Sequence, residues 1–187
     1  MSHNAHETEI KLAVPDARTA RRFLRAAGFR VSRPRVFESN TIFDTPESRL
    51  RQAGTMVRIR QAGGVSTITY KGGVVAGKHK SREEQEAEVS NPLVLAAIFG
   101  RLGLRPVFRY EKYRTEFRQP RRAGVAMLDE IPVGVYLELE GTPAWIDRTA
   151  RRLGFEEKDY ITVSYSRLYQ QWCAAHRRKP SDMVFPH

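Results

Sequence analysis

One pattern recurs in this chain and leaves few folds open: charged side chains at every second position, with apolar ones between them. The first instance is HETEIKL, residues 6–12, where Glu7, Glu9 and Lys11 alternate with Thr8, Ile10 and Leu12. Successive side chains of a β-strand point to opposite faces, so the three charges share one face and the apolar residues the other. MVRIRQ sets Arg58 and Arg60 against Val57 and Ile59, and TITYKGG sets Thr67, Thr69 and Lys71 against Ile68 and Tyr70. SREEQEAEV aligns Arg82, Glu84, Glu86 and Glu88, and EKYRTEFR aligns Lys112, Arg114, Glu116 and Arg118. VYLELEG aligns Tyr136, Glu138 and Glu140 against Val135, Leu137 and Leu139. RVFESNTIFD and VAMLDE bring the strand candidates to eight.

A single charged strand face normally meets water. Six strands with the same habit have six apolar faces to cover, and few helices to cover them. Asp16 to Gly28, Asn91 to Gly103 and Thr142 to Gly154 each read as a capped helix with a glycine stop. A fourth helix is expected from Ser164 to His176. If the sheet curls with the helices outside, the charged rows turn inward. The expected fold is therefore α+β: an eight-stranded antiparallel β-barrel with a charged lumen and helices packed outside. The 187 residues, 41% of them hydrophobic, suit one domain with a sizeable core. That domain is expected over residues 1–176, as two pattern repeats at about 6–73 and 81–176 joined by the glycine-rich KGGVVAGKHK. Residues 177–187 read as a basic, mobile tail.

Buried like charges are costly unless something neutralises them. A hard divalent cation, Mg²⁺ or Mn²⁺, would neutralise the carboxylates of Glu7, Glu9, Glu138 and Glu140. Phosphates would neutralise Lys11, Arg58, Arg60, Lys71, Arg82, Lys112 and Arg114. A metal-bound polyphosphate supplies both. Lys plus Arg exceed Asp plus Glu by 32 to 21, a formal net charge of +11, which also points to an anionic partner. Cys173 is the only cysteine, so no internal disulfide forms. The polar N-terminus lacks the pattern of a signal peptide, and LVLAAIF at 93–99 is too short to span a bilayer. A cytoplasmic protein, away from membranes, is expected, as a monomer or homodimer. His3, His6, His79, His176 and His187 show no metal-ligand spacing, and Cys173, Trp145 and Trp172 read as core residues.

In this order the motifs resemble the CYTH superfamily, the triphosphate tunnel metalloenzymes. The E-x-E-x-K of Glu7, Glu9 and Lys11 is followed by IFDTPESRLRQAGTMVRIR, then T-x-K-G from Thr69 to Gly72. R-x-E-x-E (Arg82, Glu84, Glu86), K-x-R (Lys112, Arg114), LDEIPVGVYLELEG and the SYxxL of Ser164 to Leu168 complete the set, across about residues 6–169. Many members carry a lysine just before the last Ser-Tyr, where this chain has Val163. The resemblance implies an antiparallel tunnel fold, adds Glu84 and Glu86 to the metal-binding candidates, and adds Asp129, Lys78 and Lys80 to the substrate-binding ones. Asp44 matches an acidic motif position, but the DTP it opens is equally a turn signal. The alternation does not assign a face to Asp129.

The resemblance implies a metal-dependent enzyme acting on a small-molecule triphosphate. Hydrolysis of the terminal phosphate is the leading expectation, because no motif specifies adenine. The alternative is an adenylate cyclase, in which the ribose 3′-hydroxyl attacks the α-phosphorus and pyrophosphate leaves. A non-catalytic polyphosphate- or nucleic-acid-binding protein is a third reading. Nucleic acid is not expected, since many of the bases alternate with glutamates on the same strands.

Overall fold

The eight alternating segments all form strands. In this computed structural model, which describes residues 5–75, 77–121 and 123–186, they are β1 (Ala5–Val14), β2 (Arg30–Asp44), β3 (Met56–Ala62), β4 (Val65–Lys71), β5 (Lys80–Glu88), β6 (Arg105–Arg118), β7 (Val125–Ile131) and β8 (Gly134–Glu140). Five α-helices join them: α1 (Ala17–Ala26), α2 (Arg49–Gln52), α3 (Pro92–Arg101), α4 (Pro143–Arg152) and α5 (Tyr165–Ala175). The strands close into a barrel in the order β1-β5-β4-β3-β2-β6-β7-β8, and every neighbouring pair is antiparallel. Each half of the chain runs strand, helix, three long strands, with α2 as an extra turn in the first. β1 pairs with β8 of the second half and β5 with β4 of the first, so each half borrows its outer pairing from the other.

The caps sit where the sequence puts them. Asp16 accepts from the Thr19 amide at 2.8 Å and Asn91 from the Val94 amide at 3.1 Å. Thr142 and Ser164 do the same for Trp145 and Arg167, each at 3.3 Å. Two strands, β2 and β6, begin earlier than the alternation suggests. β2 starts at Arg30, and its register with β6 slips between Val31 and Arg33 and again between Arg33 and Val36. Pro34 lies in that stretch and cannot donate to the ladder, so the pairing is irregular and the period-2 signal is lost.

The apolar faces turn outward, under the helices. Ile10, Leu12, Leu128, Leu137 and Leu139 of β1, β7 and β8 are fully buried beneath Leu24 of α1 and Trp145 and Ile146 of α4. α3 covers Phe43 and Ile59 of β2 and β3 with Phe99. α5 lies across one end of the barrel, where Tyr165, Tyr169 and Cys173 pack with Tyr110. No helix among the described residues is long and apolar enough to cross a membrane.

The C-terminal segment, expected to be mobile, is docked along β6. The Met183 amide donates to the Arg109 carbonyl and the Glu111 amide to the Met183 carbonyl, both at 2.9 Å. Met183 is only 1% exposed, and the Phe185 ring lies 5.2 Å from that of Tyr113. The physical reason is an open edge. β6 is twice as long as β7, so its first residues have no partner on that side, and the segment supplies one. The two apolar anchors in DMVFP were hidden among basic and polar neighbours.

Candidate active site

The strand alternation brings the charged rows together inside the barrel. Lys11 Nζ lies 3.1 Å from both Glu9 and Glu138, its partner across β1 and β8. Lys80 reaches Glu9 at 2.5 Å, and Lys71 pairs with Glu7 at 2.7 Å and with Glu84. Arg114 grips Asp129 with two hydrogen bonds of 2.6 Å and adds one of 2.9 Å to Glu138. Lys112 joins Asp129 at 3.0 Å, and Tyr165 donates to the same carboxylate at 2.7 Å. The wall of β1, β6, β7 and β8 is thus tightly paired.

The opposite wall is looser. Arg58 bonds Thr69 at 3.0 Å and Tyr110 at 3.1 Å, and its nearest carboxylates, Glu84 and Glu86, stand 3.9 and 3.8 Å away. Arg60 lies 3.9 Å from Glu38 and from Glu86. The Nε groups of Arg58, Arg60 and Arg82 are buried and meet no hydrogen-bond acceptor among the described residues, and neither end of the Asn40 amide has a partner among them. A cavity of about 1060 Å³ runs along both walls and is lined by Glu7, Lys11, Arg58, Arg60, Arg82 and Arg114, among others. At its mouth it is lined by α2, the start of β6, the first turns of α5 and residues 180–182.

Burial disfavours every one of these charges, and the partners decide the outcome. Burial opposes the charge on Glu7, but hydrogen bonding to Glu84 and the Lys71 ammonium holds its pKa below the ordinary value. Burial likewise opposes Glu138, yet Lys11 and Arg114 keep it well below the carboxylate range. Burial, then the hydrogen bond with Glu7, pushes Glu84 up to about 7. Glu140 is pushed up to about 8, by burial first and then by the Glu7 carboxylate. Glu7, Glu84 and Glu140 therefore form a crowded acidic corner short of positive charge. Burial pulls the Lys80 ammonium down, against the attraction of Glu9.

Most of the residues singled out from sequence converge here: Glu7, Glu9, Lys11, Arg58, Arg60, Lys71, Lys80, Arg82, Lys112, Arg114 and Glu138 all line the cavity. Glu84 and Glu86 reach the same lumen through Lys71, Arg58 and Thr69. Asp129, unassigned by the alternation, is fully buried at the centre of the paired wall. Lys78 does not join them. It pairs with Asp147 at 3.2 Å and Glu157 at 2.8 Å on the outside, because the turn before β5 carries it toward α4. Asp44 takes the turn role: it accepts from the amides of Thr45, Leu50 and Arg51 at 2.7 to 3.0 Å and so starts α2. Among the described residues no three His, Cys, Asp or Glu side chains converge as a ready-made metal cage. His3 and His187 lie outside the described residues.

Glu38, Asn40, Tyr110 and Tyr165 were missed by sequence reasoning. Glu38 and Asn40 obey the same alternation on β2, but their strand mixes polar and apolar residues on both faces, and this masks the row. Burial opposes the Glu38 charge, but Lys112, Arg114 and Arg60 hold its pKa down at about 2. Where Val163 stands in place of a lysine, Arg167 of the following helix turn lines the cavity mouth.

The CYTH domain matches residues 5–165, most of the chain and all of the tunnel. The chain belongs to the CYTH family. No curated protein matches this CYTH chain. Solved structures share its fold. A candidate adenylate cyclase from Vibrio parahaemolyticus is 18% identical, with a TM-score of 0.75 over 90% of this chain and 99% of its own. The PH1012 protein of Pyrococcus horikoshii OT3 is 24% identical, with a TM-score of 0.73 over 85% and 96%. The candidate adenylyl cyclase HpAC1 of Hippeastrum, with a dominant triphosphatase activity, is 17% identical, with a TM-score of 0.63 over 93% and 97%.

Proposed function

We propose that this CYTH protein is a divalent-metal-dependent phosphohydrolase that binds a triphosphate along the tunnel and releases its terminal phosphate. The observation that carries the reading is that Arg58, Arg60 and Arg82 line the cavity while their buried Nε–H groups have no acceptor among the described residues. A buried donor left unmade costs about 1–3 kcal/mol, more when charged. Phosphate oxygens are the acceptors that suit guanidinium forks. Lys11, Lys71 and Lys112 would turn from their carboxylates toward the same chain of oxygens. Arg114 is held in place by Asp129, which Tyr165 fixes in turn, so its charge is oriented before the substrate arrives. Charge spreads over the transferred phosphoryl group as its P–O bond breaks, and these residues would lie where it develops.

The acidic corner fits a hard cation. Glu7, Glu9, Glu138 and Glu140 offer carboxylate oxygens, and Glu140, half-buried beside Glu7, has no ion pair among the described residues. Mg²⁺ or Mn²⁺ held by these four would supply Lewis acidity toward phosphoryl oxygens and lower the pKa of a bound water. Lys11 and Lys80, on the same carboxylates, keep the corner folded by pairing with Glu9.

The cavity mouth favours a second reading. Ile42, Leu50, Met56 and Phe108 line it beside Ser166 and Gln170, a mixture suited to an organic group beyond the phosphates. An adenylate cyclase would use that space for a nucleoside. Hydrolysis is placed first because HpAC1, whose fold is similar, has a dominant triphosphatase activity. The test is one assay of tripolyphosphate and ATP with and without Mg²⁺, scoring phosphate, pyrophosphate and cyclic AMP. Metal-dependent phosphate release is the expected result. Cyclic AMP with pyrophosphate would move the chain to the cyclases, and binding without turnover would leave a polyphosphate-binding module.

A further inference from the structure

The inward-facing charges of the strands balance. Eight bases, with Arg58, Lys71 and Arg114 among them, meet eight acids, with Glu9, Asp129 and Glu138 among them. The surplus of 32 bases over 21 acids therefore lies on the outer surface, and the tunnel does not account for it.

Much of it is gathered on one face. Residues 17–37 hold seven arginines and no acid, and residues 148–155 hold three arginines and no acid. The two segments meet in space. The Ala27 carbonyl, at the end of α1, accepts from Arg152 of α4 at 3.2 Å and from Gln119, just past β6, at 2.7 Å. Arg25, Arg148 and Arg151 are exposed and make no ion pair among the described residues. Arg30 and Arg118 stand opposite each other across β2 and β6. Like charges in that position cost stability, so a fold that keeps them there has a use for them or a partner to neutralise them.

We infer that this face binds the phosphodiester backbone of a nucleic acid, without reading bases. Guanidinium dominates here, and its planar fork matches phosphate oxygens. The face offers little apolar surface to a lipid: Ala20 and Leu24 of α1 and Ile146 and Ala150 of α4 point into the core, and Val31 and Phe37 of β2 are the large apolar side chains it leaves exposed. Arg21, Arg33 and Arg35 pair with Glu130 and Glu116 at the edge of this face, but Arg18, Arg22, Arg25, Arg148 and Arg151 make no ion pair among the described residues, and such a cluster of unpaired bases is the pattern of a backbone binder. The surface is separate from the tunnel and does not depend on what the tunnel hydrolyses.

The experiment is fluorescence anisotropy with a short labelled RNA and a short DNA duplex, in saturating tripolyphosphate and Mg²⁺ to occupy the tunnel. Binding is expected at about 50 mM salt and should fall steeply toward about 200 mM. The triple variant Arg25→Gln, Arg118→Gln, Arg151→Gln should bind about tenfold or more weakly, with a shallower salt slope. Its tripolyphosphate hydrolysis should match the parent, and its thermal unfolding should match or exceed it, since Arg118→Gln relieves the repulsion with Arg30. No binding at low salt overturns the inference, as does displacement by tripolyphosphate or unchanged binding by the triple variant. Capture by anionic phospholipid vesicles, lost in the triple variant while neither nucleic acid binds, would assign the face to a membrane and overturn it equally.

Discussion

The two walls of the barrel differ on both of their faces. The wall of β1, β6, β7 and β8 is buried under α1 and α4, and inside it Lys11, Lys112 and Arg114 are each gripped by a carboxylate. The wall of β3, β4 and β5 is covered mainly by α3, and inside it Arg58, Arg60 and Arg82 keep unmet donors. One wall holds the fold and orients its charges. The other holds charges whose best partners are not in the protein. The division suits a tunnel that must stay rigid on the side where an acidic corner is assembled and adapt on the side where phosphates are gripped.

The largest effect should come from breaking the paired wall. Asp129→Asn removes the buried charge that Arg114 and Lys112 share and leaves them only Glu138 and Glu38, so it should cost about 3–5 kcal/mol in urea unfolding. Arg60→Ala, on the open wall, should cost under about 1 kcal/mol or even stabilise by relieving repulsion, while lowering triphosphate affinity. Equal losses from the two would break the comparison.

On the outer faces, Leu139→Ala should cost about 2–5 kcal/mol, since Leu139 is fully buried beneath the helices. Ile68→Ala, half-buried beneath α3, should cost clearly less. Thermal or urea unfolding of both variants sharpens or removes the contrast.

A smaller effect separates the walls by pH. Glu38, between them, is held down at about 2, below its ordinary value of 4.5, so its ion pairs stabilise the fold fully above about 4.5. That contribution, on the order of 2 kcal/mol, is lost as pH falls toward about 2. Wild type should therefore exceed Glu38→Gln in stability at neutral pH, and the gap should close across that window. A gap that is the same at both ends would mean that Glu38 contributes by shape alone.

How much of this was legible in the sequence followed from how regular each strand is. β1, β3, β4, β5 and β8 alternate cleanly, and the lumen residues they carry are the ones named from sequence. β7 reads VAMLDEI and is buried on nearly every residue, so periodicity could not tell which way Asp129 points. β2 is bulged and mixed, which hid Glu38 and Asn40. The cavity mouth was not legible at all. It is built from α2, the start of β6, α5 and the docked C-terminal segment, which are distant in sequence and meet only on folding.

The central claim is that the carboxylates of β1 and β8 hold a cation while the bases beside them hold a triphosphate. The most direct test is phosphate release from tripolyphosphate as a function of Mg²⁺, for wild type and for Glu9→Gln, which keeps size and removes one charge. The variant should need a higher Mg²⁺ concentration to reach half its maximal rate. A Glu9→Gln curve that overlies that of wild type at limiting Mg²⁺ would contradict the claim.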